Sequence, residues 1–343
     1  MIIDQLSSQD EKLWNDYILE HPAATFYHQL KWKTLIESTY SRHFKPLYLI
    51  AKDQGSVKGV LPIYYYKHPI FGKKLISLAF ASHGGPCADN DDISDRLIQE
   101  AIRLTKNLNA DFYELRDSKK LQGEFTIIED YCTQVLPVTD ELNVIYSQFS
   151  TNIKRNLKKT QKLDIRTEFN SNDFDVFYRI FSLGQRNLGT PIQKASWVKN
   201  LYTNFKDQHE LVISYYKDKP VSVQMIRKFR GSIFGIFGYA LPEYRHLNVN
   251  HLLHWDLIQY AYNNGYQFYN FGRSRIGGGV YQFKRKWGAQ DVPLFNHYYM
   301  HRAKKSFDTG QANPARGKFA KIWKRMPLPL ANYLGPFIRS NYP

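Results

Sequence analysis

The chain has 343 residues, 43% of them apolar and 15% aromatic, with 47 Lys and Arg against 31 Asp and Glu and a formal charge of +16. This composition excludes a disordered chain, and the length favours two domains, since a single core stops growing at roughly 250–300 residues. Two cysteines, Cys87 and Cys132, without CxxC spacing argue against a disulfide framework or a zinc ribbon. The first residues lack the basic-then-apolar pattern of a signal peptide, and the apolar run 232–241 is too short to span a bilayer, so a cytoplasmic location is expected.

In chain order, 8–20 and 28–38 read as helices, and 46–53 and 57–66 as strands around the hairpin signal Asp53-Gln54-Gly55-Ser56. A third strand, 74–81, is broken by Ser-His-Gly-Gly-Pro at 82–86. An apolar stripe of helical spacing marks 91–108, and strands follow at 112–116 and 131–138. The order then recurs: helices at 143–161, 172–188 and 194–206, and a meander at 210–216, 221–229 and 232–240. A helix at 249–264 stopped by Gly265, a strand at 267–271, a short helix at 280–287 and a closing strand at 292–300 complete it.

Each half reads helices, meander, helix, strand, strand. This predicts an α/β protein made of one mixed unit duplicated, with domains at 1–140 and 141–300. Residues 301–343 read as a third region: a loop, a short basic helix and an extended tail.

Three segments hold nearly all the excess positive charge: 152–166, 273–286 and 302–325. Clustering of this kind is the footprint of an anion-binding surface. On a helix, Lys154, Lys158 and Lys162 would share one face, where like charges repel by a few tenths of a kcal/mol per pair.

The densest candidate site is FGRSRIGGGVYQFKRKWG, Phe271 to Gly288. Gly277, Gly278 and Gly279 free the backbone to approach a ligand, Arg273, Arg275, Lys284, Arg285 and Lys286 supply charge, and Tyr281, Phe283 and Trp287 supply aromatic surface. The segment follows a strand, where open α/β sheets bind ligands. It has neither the GK[ST] of a Walker loop nor a GxGxxG, which argues against nucleotide hydrolysis and dinucleotide binding.

This motif, with the upstream LLHWDLIQYAYNNGYQFYNFG (252–272), FYHQLKW (26–32), NIKRNLKK (152–159) and KRMPLPLANYLGPFI (324–338), resembles the FemAB-like branch of the GNAT acyltransferase superfamily. Within it the chain is most similar to FemAB-related proteins found beside exosortase and exopolysaccharide gene sets. The resemblance implies tandem GNAT-like domains and transfer of an acyl or aminoacyl group to an amine of a cell-envelope or exopolysaccharide precursor. The donor would be aminoacyl-tRNA or acyl-CoA, with no permanently bound cofactor and no metal. By position, Lys284 in the YxFK element matches the family's lysine near the reaction centre, where a cation can stabilise an oxyanion. Arg273 and Arg275 would hold phosphates. Gln29, Lys31 and Trp32 match the acceptor-side element, and Asn152, Lys154 and Arg155 the basic helix. Tyr281, in the same YxFK element, is a second candidate catalytic residue.

The pyrophosphate loop of acetyl-CoA-dependent GNAT proteins, [QR]xxGx[GA], corresponds here to Arg245–Asn250, with Asn248 and Asn250 at the glycine positions. That favours a different donor. Two other readings stand beside this one: an acetyl-CoA-dependent N-acetyltransferase acting on an amino sugar or small amine, and a non-catalytic basic module docking on RNA, including tRNA, or on anionic lipid.

Glu114 and Arg116 alternate on a strand; they can pair, or Glu114 can serve as a base for an acceptor amine. His246, His251 and His254 lack a ligand set and read as packing histidines, and His83 reads as a turn residue. No Ser-His-Asp or Cys-His spacing stands out, so direct attack by the amine is expected. Residues 318–338 combine Lys318, Lys321, Lys324 and Arg325 with Phe319, Ile322 and Trp323. That pattern is suited to a peripheral contact with the inner face of a membrane or to packing across the domain junction.

Overall fold

The computed structural model describes residues 1–302 and 314–341. It forms two compact units, one built on Met1–Asp130 and the strand from Pro293, the other on Tyr131–Val292 and the last two helices. The division therefore falls ten residues before the expected 140/141 cut. Residues 131–137 pair within the second unit, residues 295–300 pair within the first, and the supposed tail packs into the second.

The first unit contains β1 (Ile2–Gln5), α1 (Glu11–Glu20), α2 (Leu30–Tyr40), β2 (Phe44–Pro46), β3 (Leu49–Asp53), β4 (Ser56–Leu61), β5 (Ile63–His68), β6 (Gly72–Ser77), β7 (Cys87–Ala88), α3 (Asp91–Asn107) and β8 (Phe112–Asp117). β9 (Thr126–Pro137) leads into the second unit, with α4 (Leu142–Ser147), α5 (Thr151–Thr160), β10 (Ile165–Glu168), α6 (Phe174–Leu188), α7 (Ala195–Asn204), β11 (His209–Tyr216), β12 (Lys219–Phe229), β13 (Ser232–Ala240), α8 (Val249–Asn263), β14 (Phe268–Arg275) and α9 (Gly279–Arg285). β15 (Gln290–Met300) returns to the first unit, and α10 (Pro314–Arg325) and α11 (Leu328–Arg339) complete the second.

In the first unit one sheet runs β1-β3-β4-β7 and another β15-β8-β6-β5-β2. Pro62, which has no N–H for a ladder, stands between β4 and β5 and divides the expected strand 57–66 between the two sheets. The Asn90 side chain caps α3, whose stripe Ile93, Leu97, Ile98, Ala101 and Ile102 is buried against Leu75, Tyr113 and Leu115. Each such side chain contributes roughly 1.5–3 kcal/mol on burial.

The second unit's sheet runs β10-β11-β12-β13-β14-β9. Its two hairpins turn at Lys217-Asp218 and Arg230-Gly231, all four residues at positive φ, the geometry that matches strand twist. α5 and α8 bury Ile153, Leu157, Leu253 and Leu257 with Tyr269, Phe271 and Trp287. α6 and α7 pack through Phe181 and Trp197 onto Phe237 of β13.

Three sequence expectations change in this unit. The helix expected over 143–161 is two, broken at Gln148–Ser150, where the Ser150 side chain caps α5. α5 ends at Thr160, so Lys162 lies beyond the face shared by Lys154 and Lys158. Residues 328–339 are helical rather than extended, with Pro329 in the first turn, where no N–H is needed. The part of the basic tail between 303 and 313 lies outside the described residues.

Candidate active site

Two parallel strands must be joined by a crossover, and α8 supplies it between β13 and β14. These strands pair only from Ser232↔Phe268 to Phe234↔Asn270. Beyond that point they part. β13 continues against β12, from Met225↔Phe237 to Ser222↔Ala240, and β14 continues against β9, from Arg273↔Thr133 to Arg275↔Tyr131. The result is a fork inside the sheet whose two inner edges no longer pair with each other.

The sequence builds the fork with two irregularities. A bulge places Ile236 as the extra residue of β13, between Gly235↔Ile226 and Phe237↔Met225. On β14 the register shifts between Asn270 and Arg273. There Gly272 sits at φ +77°, and a Cβ on it would stand 2.7 Å from the Gly235 carbonyl oxygen. Only glycine meets both demands. The Asn270 side-chain oxygen accepts from the Gly272 N–H at 2.8 Å and from the Thr133 hydroxyl at 2.6 Å, which holds the bend.

Lys284 is tied to the same bend. Its Nζ donates to the Gly272 carbonyl at 2.8 Å and to that of Arg273 at 3.4 Å. On α9, Tyr281 and Lys284 turn inward while Gln282, Arg285 and Lys286 turn out. Burial lowers the Lys284 ammonium to about 8, opposed by the neighbouring Cys132 thiolate form. Cys132 itself is pushed up to about 11, mainly by burial. Tyr281 donates its hydroxyl to Asp291 at 2.7 Å and accepts from Arg285 at 3.0 Å, so its proton is committed. The Ser274 hydroxyl, also beneath α9, is buried with no hydrogen-bond partner among the described residues.

The register separates the cations expected to act together. Arg273 and Arg275 share the β14 face of Thr133 and Tyr131, and the Arg273 guanidinium lies 3.7 Å from the Tyr131 ring centre. Tyr281, Lys284 and Trp287 lie on the opposite face, where Gln134 donates to the Tyr281 carbonyl. Both arginines are strand residues, because the bulge lets β14 run past the expected end at 271. Gly277 takes φ +80°, whereas Gly278 and Gly279 have ordinary φ and open the short helix α9. Trp287 is fully buried against Phe149 and Phe283, so it is a core residue rather than a ligand surface.

His254 is likewise a core residue. Its Nδ1 and the Tyr269 hydroxyl lie 2.8 Å apart, and burial holds it near 3, uncharged at neutral pH. Tyr269 borders the fork, since a Cβ on Gly235 would meet its hydroxyl at 3.6 Å. On α5, Asn152 and Arg155 are exposed, and Lys154 donates to the Ser147 carbonyl at 2.6 Å.

The remaining expected residues belong to the first unit. Gln29 precedes α2 and donates to the Phe26 carbonyl, Lys31 is exposed, and Trp32 is buried with its N–H on the Ala79 carbonyl at 3.2 Å. Trp32 is therefore structural. Glu114 accepts from Arg116 at 2.7 Å with both side chains buried, the pairing reading of these residues. β6 and β8 form the parallel pair of this unit, from Lys74↔Phe112 to Ile76↔Glu114. Beyond Glu114 the chain fills its own gap. The Arg116 N–H donates to the Ser77 hydroxyl, its carbonyl accepts from the Gly84 N–H, and its guanidinium donates to the Ala81 carbonyl.

With the geometry established, comparisons fix the fold. Residues 147–285 match the family model described as Acetyltransferase (GNAT) domain. FemX superposes with a TM-score of 0.68 at 13% identity, over 88% of this chain and 98% of that one. The fold is that of a tandem GNAT protein. A tandem GNAT protein from the clavulanic acid biosynthesis pathway matches at 0.54 and 9% identity, covering 87% and 97%. L-PGS from Bacillus licheniformis matches at 0.56 and 10%, covering 95% and 100%. No curated protein matches in sequence. The expected α/β class and GNAT duplication are thus observed.

Sequence reasoning missed the fork itself. Its signal was present in SIFGIFGYA, where Gly235 and Gly238 interrupt an otherwise apolar strand, a mark of a bulge or a close approach. Asn270 and Ser274 carry no local signal, because register alone brings them to the fork.

Proposed function

We propose that the chain is an N-acyltransferase of FemAB type that moves an acyl or aminoacyl group onto an amine of a cell-envelope or exopolysaccharide precursor. The observation that supports it most is the β13–β14 fork. A short aminoacyl ester can enter the opening at the branch, and an extended amide-bearing carrier can in addition lie along the free edge of β13 as an added strand, exchanging backbone hydrogen bonds with it. The amine nitrogen attacks the donor carbonyl, the new C–N bond forms, the C–O or C–S bond to the carrier breaks, and the amine proton leaves with the carrier or solvent. Backbone N–H groups of β13 face the developing oxyanion, and the Lys284 charge, held beside the fork, adds to the stabilising field. Arg273, Arg275 and the exposed cations of α5 suit the phosphates of donor or acceptor.

Asn248 and Asn250 in place of glycine favour an aminoacyl or unusual acyl carrier over acetyl-CoA. A second reading, acetyl-CoA-dependent N-acetylation of an amino sugar or small amine, draws on the family match and on Asn248. That residue stands before α8 at φ +57°, the conformation a glycine there would take. Single-turnover transfer from labelled aminoacyl-tRNA and from acetyl-CoA onto a panel of amines tests both. Transfer from the first alone supports the leading reading, transfer from the second alone replaces it, and transfer from neither contradicts both.

A further inference from the structure

α11 carries its side chains in an unusual distribution. The face packed on α6 is made of small residues, Ala331 and Gly335, and a Cβ on Gly335 would meet Ile192 at 3.0 Å. The opposite face carries the large apolar residues Leu330, Tyr333 and Phe337, spaced i, i+3, i+7, with Tyr333 67% and Phe337 64% exposed. A surface helix ordinarily does the reverse. On α10, Trp323 is buried while Ile322 is 67% exposed, with Phe319 beside it. The cations Lys318, Lys321, Lys324 and Arg325 are exposed around them. From Pro314 to Arg339 there is no Asp or Glu.

Both helices are anchored. Arg186 of α6 donates to the Lys324 carbonyl at 3.1 Å, Asn332 donates to the Ser182 hydroxyl at 3.4 Å, and a Cβ on Gly189 would meet Ala320 at 2.7 Å. The outward apolar face is therefore presented by held helices.

We propose that α10 and α11 form a docking surface for an anionic phospholipid bilayer. The large apolar side chains enter the interface, Tyr333 sits at the headgroup level, and the surrounding cations meet lipid phosphates. An acid-free cationic rim complements a negatively charged surface, and bilayer attraction of this kind combines apolar burial with electrostatic attraction to the headgroups. No helix of the described residues is long and apolar enough to cross a membrane, so the contact is peripheral. This inference goes beyond the acyl-transfer reading and stands if that reading fails.

The test is co-sedimentation of the full chain with phosphatidylglycerol–phosphatidylcholine vesicles and with phosphatidylcholine alone. Binding should be at least about tenfold tighter to the anionic vesicles and fall about tenfold between roughly 0.05 and 0.5 M salt. Ile322→Ser with Tyr333→Ser and Phe337→Ser, all at exposed positions, should weaken it at least about tenfold with an unchanged circular dichroism spectrum. Lys318→Glu with Lys321→Glu should remove the salt dependence. A Tyr333→Trp variant should be quenched by brominated lipid. Equal binding to neutral vesicles, binding unaffected by the serine changes, or self-association in sedimentation velocity that those changes abolish would each overturn the proposal. Transfer to a water-soluble amine, followed in parallel, should not change.

Discussion

The two units contain the same device used in opposite ways. In each, two parallel strands joined by a helix pair briefly and then part, at Ile76↔Glu114 in the first and at Phe234↔Asn270 in the second. In the first unit Ser77, Ala81 and Gly84 bond Arg116 and close the gap, and the Glu114–Arg116 pair is buried in it. In the second, β13 runs six residues past the fork with β12 on its far side, and Gly235 and Gly272 keep the approach narrow at the branch. One repeat has sealed its fork with its own chain; the other has kept it as an edge that a ligand can join. Under the proposed function the second fork is the working cleft and the first a structural copy, and the difference lies where Ser77, Ala81 and Gly84 bond Arg116.

Closing the second fork should have the largest effect. Gly272→Val combines a φ of +77° with a Cβ 2.7 Å from a carbonyl oxygen, and should abolish detectable transfer and cost roughly 2–4 kcal/mol of stability in denaturant titrations. Next in size is Lys284→Met, which keeps the volume and removes the charge. Transfer should fall by about 10²–10³, measured as kcat. Since the lysine titrates near 8 and is charged below that, the wild-type rate should fall as pH rises through 8, and Lys284→Arg should lose this falling limb. The stability linkage has the opposite sense. The folded state binds fewer protons than the unfolded one between about 8 and 10.5, so wild-type stability should rise across that window.

In the sealed fork the effect should be on folding alone. Arg116→Met leaves Glu114 buried without its cation and should cost roughly 3 kcal/mol in equilibrium unfolding, while kcat per folded molecule holds. A fall in kcat instead would make the first fork a working part of the reaction. The smallest effect is expected at Asp256, a carboxyl raised to about 6 by burial and opposed by a hydrogen bond from Thr167. Its raised value means the wild-type protein loses stability as pH rises from about 4 to 6. Asp256→Asn should remove that dependence, a gain of about 1–3 kcal/mol at pH 7 by thermal unfolding.

Much of this organisation was legible in the sequence. Helical stripes, the turn at Arg230-Gly231 and the repeated element order follow from local chemistry, and Phe271–Gly288 does lie beside the fork. What local chemistry could not reveal is register. A bulge at Ile236 and a shift at Asn270–Arg273 decide which side chains share a face, and they place the Arg273–Arg275 pair opposite Lys284. Trp32 and Trp287 look like ligand surface because aromatic residues near cations suit binding; their burial comes from long-range packing. The helix α11 was hidden by Pro329 and Pro336, which read as breaks unless the first falls in the first turn.

In the proposed reaction the fork of the second unit, and not that of the first, receives the donor. Hydrogen–deuterium exchange of the full chain, with and without a saturating acyl or aminoacyl donor, tests it most directly. Slowed exchange is expected at 235–240 and 271–275, with 77–86 and 114–117 unchanged. Protection at 77–86 and 114–117 without protection at 235–240 would contradict it.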